Sequence, residues 1–88
     1  MQKLTVVVNN KSGLHARPAG LFVRTANKFK ASITVSKNGR SVNGKSIMGI
    51  LGIAASKGDE LEIIAEGHDE IEAINEIKVL FNSKLIHE

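Results

Sequence analysis

Ala31-Ser32-Ile33-Thr34-Val35-Ser36-Lys37-Asn38-Gly39-Arg40-Ser41-Val42-Asn43 is the stretch from which the fold can be read. Residues 31–37 are rich in β-branched side chains, and Ile33 and Val35 recur at the period of two that lines one face of a strand. Asn38-Gly39 follows, and both central positions of a type I′ turn need positive φ, which Asn and Gly tolerate best. Arg40 to Asn43 is then a short return strand. A hairpin in the middle of the chain predicts a sheet, so the flanks are read for further strands and for helices to cover it.

Upstream, Leu4, Val6 and Val8 alternate with Thr5, Val7 and Asn9, a first strand, and the polar run to Gly13 is a loop. From Ala16 the apolar positions Ala19, Phe22, Val23, Ala26 and Phe29 recur at helical spacing, with Arg17, Leu21, Arg24 and Lys28 on the opposite face. Pro18 is tolerated only in a first turn, which places the helix start near His15 or Ala16. Downstream, Gly44-Lys45-Ser46 leads into the apolar run from Ile47 to Ala55. Two glycines weaken that run by about 1 kcal/mol each, so it predicts a short, partly buried helix ending near residues 56–58. Glu60 to Glu66 alternates again with Leu61, Ile63 and Ala65 inward. Asp69 and Glu72 resemble a capping box before a long final helix whose core stripe is Ile71, Ile74, Ile77, Leu80, Phe81 and Leu85. The order β-α-β-β-α-β-α is that of an α+β domain, a two-layer open-faced β-sandwich. Its expected form is a four-stranded, largely antiparallel sheet with three helices on one face. The pattern leaves the strand order open, since the ferredoxin-like arrangement shares the same string.

The chain has 88 residues, 42% hydrophobic and 24% charged, which suits one globular domain over residues 1–88. It contains no cysteine, and Met1-Gln2-Lys3 runs straight into a strand pattern without a signal-peptide core. No apolar run approaches the roughly 20 residues that span a bilayer. A cytoplasmic protein without membrane insertion is expected. Ten of the 12 basic residues precede Asp59, and all 9 acidic residues lie from Asp59 onward. A basic first part invites acidic proteins, phosphates or nucleic acid, although a solvated surface reads equally well from charge alone. With three Phe and neither Tyr nor Trp, all three Phe serving helix patterns, a base-stacking RNA-binding sheet ranks low. His15, His68 and His87 share no metal-ligand spacing, and His68 and His87 read as surface residues. No metal or cofactor is implied.

The chemistry-bearing stretch is Gly13-Leu14-His15-Ala16-Arg17-Pro18-Ala19. A histidine where a loop becomes a helix lies beside unpaired backbone N–H groups and the positive end of the helix dipole, a setting for phosphate. Histidine can carry a phosphoryl group covalently, and Arg17 can pair with its oxygens. A capping or solvent-facing role is an equal reading from these residues alone. Ser46, just before an apolar run, is a preferred N-cap. Ile47, Met48 and Leu51 cannot all be buried in so short a helix and predict an exposed apolar patch, which Leu21 and Arg24 would complete beside His15.

This stretch, with Phe22-Val23, Asn43, Lys45-Ser46-Ile47-Met48-Gly49 and the terminal helix, resembles the HPr family. These are the histidine-containing phosphocarriers of the bacterial phosphoenolpyruvate-dependent sugar phosphotransferase system, here of the Gram-positive type with a regulatory serine. The resemblance covers essentially the whole chain. It implies that His15, through Nδ1, accepts a phosphoryl group from enzyme I and donates it to the IIA domains of sugar permeases. The protein would then be a carrier rather than an enzyme with a small substrate of its own. Arg17 would assist the phosphate, with Ser12 and Ala16 beside it. Ser46 would be phosphorylated by HPr kinase/phosphorylase, slowing the reaction with enzyme I and promoting binding to the catabolite-control repressor. Leu21, Arg24, Ile47, Met48 and Leu51 would dock partners on a monomer. The alternative is a regulatory-only binding module of the same fold, like the homologue Crh, acting through Ser46. Crh lacks the active histidine, so His15 favours the carrier. Gly20 and Gly52 depart from commoner family residues.

Overall fold

The computed structural model describes residues 1–9, 11 and 13–84. Its hairpin joins β2 (Ser32–Lys37) to β3 (Arg40–Asn43) through Asn38 and Gly39, whose φ angles of 53° and 83° are those a type I′ turn requires. β2 also pairs with β4 (Glu60–Glu66), and β4 with β1 (Gln2–Val7), giving one four-stranded sheet in the order β1-β4-β2-β3. Every pairing is antiparallel, from Gln2 opposite Ala65 at one edge to Lys37 opposite Arg40 at the other. β1 and β2 therefore run the same way with β4 between them, and β3 and β4 run the same way with β2 between them. α1 (Ala16–Ala26) makes the first of these crossovers and α2 (Ile47–Gly52) the second. The strand order left open by the pattern is thus set by two interleaved β-α-β units.

The sheet is two-faced because its strands alternate. Ile33, Val35, Leu61, Ile63 and Ala65 are buried, with Leu4 and Val6 packed against them, while Thr5, Ser41, Glu60 and Glu62 face solvent. The helices cover the inner face with Ala19, Phe22 and Ala26 of α1, Ile50 of α2, and Ala73, Ile74 and Ile77 of α3 (Glu70–Val79). The Phe22 and Phe81 rings meet edge to face, centroids 5.9 Å apart and planes at 68°. Burying a side chain of this size contributes about 1.5–3 kcal/mol, and such a ring pair about 0.5–1.5 kcal/mol more.

Four local expectations need correction. α2 ends at Gly52 rather than near 56–58: Ile53 and Ala55 are buried beyond it because Ala54 turns through a left-handed φ of 54°. α1 ends at Ala26, and Phe29 packs against the core from the following turn. Asp69 and Glu72 form no capping box. The Asp69 carboxylate instead accepts the backbone N–H groups of Lys30 (2.9 Å) and Ala31 (2.8 Å), and Glu70 accepts the N–H of Gly67 (3.1 Å). Ile71 is 57% exposed, since it lies about a quarter of a turn off the stripe centred on Ile74 and Ile77, where Ala73 takes the inward place. A π-helical turn, Leu80–Lys84, follows α3 and keeps Leu80 and Phe81 buried. Leu85, His87 and Ser12 lie outside the described residues.

Candidate phosphoryl-transfer site

The loop from β1 to α1 is held by the segment that follows α2. β1's pairing with β4 runs on past the strand: the Val8 N–H donates to the Asp59 carbonyl (2.9 Å) and the Gly58 N–H to the Val8 carbonyl (2.8 Å). Beyond the turn, the Leu14 N–H donates to the Ala55 carbonyl at 2.9 Å. Gly13, at φ 68°, passes so close to the Ala55 carbonyl that a Cβ there would collide with it. Leu14 is buried, and the next residue, His15, turns outward.

His15 is the N-cap residue of α1 in an extended conformation, with φ −89° and ψ −164°. Its carbonyl accepts the Ala19 N–H, the first helical bond, at 2.9 Å, but its side chain makes no capping hydrogen bond. The imidazole is exposed and is not spent on the cap. Pro18 brings no N–H, and the first-turn amides of a helix point out of its N-terminal end. α1 has no acidic residue in its first turn, and Arg17 and Arg24 are exposed along it. An anion at this end meets the helix dipole, backbone donors and a guanidinium with no opposing carboxylate on the helix.

Ser46 is the N-cap of α2. Its Oγ accepts the Gly49 N–H at 3.1 Å and its carbonyl the Ile50 N–H at 3.0 Å. The N-cap reading of the sequence is therefore borne out, and the hydroxyl is only half-buried. Asn43 shapes the approach by accepting the Lys45 N–H on its side chain at 2.9 Å. Two further bonds tie this corner to the far end of α1: the Asn27 amide donates to the Lys45 carbonyl (3.2 Å), and the Lys45 ammonium donates to the Phe29 carbonyl (2.6 Å). Asn27 carried no signal in the sequence beyond being an amide at a helix end.

These bonds set the relative direction of α1 and α2. The start of α1 lies beside the exit of α2, and the end of α1 beside the entry to α2, so the two helices run antiparallel. His15 and Ser46 are thus at opposite ends of the pair, separated by roughly a helix length, on the order of 10–15 Å. Between them lies the apolar patch. Met48 is 76% exposed, with Ile47 (39%) and Leu51 (38%) beside it. Arg24 is exposed, whereas Leu21 is half-buried and packs partly against the core. His68 is exposed in the turn before α3. Among the described residues no group of His, Cys, Asp and Glu could hold a metal ion, and no helix is long and apolar enough to cross a membrane.

The chain matches the family described as the PTS HPr component phosphorylation site over residues 2–83. It is 45% identical to the phosphocarrier protein HPr of Treponema pallidum, covering 96% of each chain. It is 47% identical to the HPr-like protein Crh of Bacillus subtilis, covering 88% of this chain and 91% of that one. Among solved structures, an HPr from Thermoanaerobacter tengcongensis superposes with a TM-score of 0.94 at 49% identity, covering 100% of this chain and 98% of the other. Fold and match together define a class: a small domain of the phosphocarrier type of the phosphotransferase system. Within that class the chain belongs to the HPr family. Solved relatives include a T. tengcongensis HPr dimer and a swapped dimer of B. subtilis Crh, with TM-scores of 0.77 and 0.76, so the fold itself does not imply the monomer expected from the sequence.

Proposed function

We propose that His15 carries the phosphoryl group, receiving it from phosphorylated enzyme I and giving it up to the IIA domains of sugar permeases in the cytoplasm. The observation that carries this reading is an exposed imidazole at the N-terminus of α1 whose side chain makes no capping bond. In the transfer, a bond forms between the ring nitrogen, Nδ1 by resemblance to the family, and phosphorus. The donor's bond to phosphorus breaks, and the donor keeps that electron pair. Phosphoryl transfer asks a protein mainly for positioning and charge stabilisation. Arg17 and the amides at the helix end, Ala16 among them, supply both, and Ser12 is assigned beside them by resemblance alone. The chain is comparably similar to HPr and Crh relatives, so overall identity does not separate carrier from regulator. The presence of His15 favours the carrier.

Ser46 is the regulatory site in this reading. A phosphate there would lie at the N-terminus of α2, where its charge is tolerated locally, and too far from His15 to touch it. Its action then falls on proteins docking across Ile47, Met48, Leu51, Leu21 and Arg24. Enzyme I, IIA domains, HPr kinase/phosphorylase and the catabolite-control repressor are the partners proposed, each meeting a monomer. Incubation with enzyme I and labelled phosphoenolpyruvate is expected to give acid-labile label that is absent from His15→Ala; an unlabelled wild type overturns the carrier reading. HPr kinase and ATP should give acid-stable label on Ser46. Ser46→Ala should abolish that label while costing about 1 kcal/mol of stability through the lost cap.

A further inference from the structure

We propose that Lys37, at the end of β2, is a positioning residue for the His15 site, acting with Asp59 to hold the platform on which the His15 loop rests. The inference builds on the assignment of the phosphoryl group to His15. Its ground is the way three acceptors, two consecutive carbonyls and one carboxylate, converge on one ammonium. Lys37 Nζ donates to the carbonyls of Ala54 (3.0 Å) and Ile53 (3.3 Å) and lies 3.0 Å from Asp59 Oδ2. A lysine ammonium has three donors, and here it meets three acceptors. The pair is partly shielded from solvent, with side-chain exposures of 21% and 33%, and so is less screened than an open surface pair.

The segment held in this way is conformationally unfavourable without support. Ala54 has φ 54°, a left-handed conformation that a residue with a Cβ rarely adopts. The helical bonds of α2 close on the N–H groups of Ile53 and Ala54, which leaves the carbonyls of these two residues beyond the helix's own ladder. Lys37 answers both needs, supplying donors to the carbonyls on either side of the turn and positive charge at the negative end of α2. Asp59 closes the other side. Its Oδ2 accepts the Ser56 N–H (2.8 Å) and its own N–H donates to the Ser56 carbonyl (2.9 Å), fixing the turn from 56 to 59.

Between these two anchored points lies Ala55, whose carbonyl holds the Leu14 N–H one residue before His15. The chain of contact runs from Lys37 through Ala54 and Ala55 to Leu14 and the histidine. Lys37 touches none of the reacting atoms. Loosening it lets the Ala55 carbonyl drift and with it the direction of the imidazole, and misplacement of about 1 Å can reduce a transfer rate by as much as ~100-fold.

The test uses the whole protein with Lys37→Met, which keeps the apolar stem and removes the donors, and with Lys37→Arg, which keeps charge and donors. Phosphoryl transfer from phosphorylated enzyme I is measured as kcat and KM, alongside amide hydrogen exchange at Leu14 and at Ile63 in the central sheet. For Lys37→Met the expected result is a kcat lowered about tenfold with KM changed less than about twofold. Leu14 should exchange about tenfold faster while Ile63 changes far less, and Lys37→Arg should restore most of both effects. A wild-type kcat in Lys37→Met overturns the proposal. So does equal acceleration at Leu14 and Ile63, which would mean general destabilisation, and so does an Arg variant no better than Met. If the wild type itself takes no label, the His15 assignment has failed and the proposal falls with it. A labelled wild type with an unaffected Lys37→Met removes the positioning role alone.

Discussion

Replacing Gly13 by Ala is expected to be among the more damaging single-methyl changes in the molecule. Gly13 has φ +68°, and a Cβ added there would strike the Ala55 carbonyl oxygen and lie 3.0 Å from the Ser56 Cα. Both obstacles are backbone, so no side-chain rotation relieves them. A left-handed conformation costs a non-glycine residue about 1–2 kcal/mol. Pushing Gly13 away from Ala55 also lengthens or breaks the neighbouring Leu14 to Ala55 hydrogen bond, worth about 1 kcal/mol and more when its groups stay buried. The sum is about 2–4 kcal/mol, and at about 4–8 °C per kcal/mol for a domain of this size the melting temperature should fall by at least about 8 °C. Gly58→Ala is the internal control, because Gly58 also has positive φ, +93°, but nothing lies within 4 Å of its added Cβ. It should lose only the conformational cost, about 1–2 kcal/mol. Urea unfolding of both variants gives the comparison. If Gly13→Ala proves no more destabilising than Gly58→Ala, the contact between the His15 loop and Ala55 does not constrain the chain as described.

Asp69 makes stability pH-dependent with a defined sign. The Lys30 backbone N–H is the main cause that holds its carboxyl below the usual 3.8, burial opposes it, and the Ala31 N–H adds to the lowering. A depressed folded-state pKa contributes stability that is fully present above 3.8 and is lost as pH falls through the folded value. Asp69→Ala should therefore unfold at lower urea than the wild type at pH 7, with the gap closing below pH 3.8; a gap that widens in acid contradicts this. Met48, at 76% exposure, should be replaceable by Ala within about 0.5 kcal/mol of wild-type stability, while affinity for enzyme I in titration calorimetry falls several-fold. Unchanged affinity removes Met48 from the docking surface.

Much of the fold was legible because its signals are local. The Asn38-Gly39 turn, the alternation of Leu61, Ile63 and Ala65, and Pro18 at the start of α1 each follow from neighbouring residues and their backbone preferences. His15 and the Ser46 cap were legible for the same reason. What escaped the sequence depends on partners far away along the chain. Asp69 looked like a cap for its own helix, yet its carboxylate is taken by amides 38 and 39 positions earlier. The end of α2 escapes the sequence because Ala54 is not a residue that announces a left-handed turn; Lys37 and Asp59, which hold it, lie elsewhere along the chain. Strand order is likewise a matter of which distant segments meet, and the burial pattern of each strand is the same for several orders.

The placement of β1 has a consequence for how the chain comes into being. Within the sheet β1 hydrogen-bonds only to β4, and its first pair joins residues 2 and 65. On a ribosome β1 emerges well before β4 and waits for it while more than fifty further residues are made. The hairpin of β2 and β3 and helix α1 can be assembled in that interval, since their contacts lie within the emerged chain. The His15 loop cannot be seated. Its footing, from Ala55 to Asp59, precedes β4 directly, and the bonds between Val8 and residues 58 and 59 continue the β1–β4 pairing. His15 thus acquires its setting only after the chain has been made as far as Asp59 and the strand beyond it.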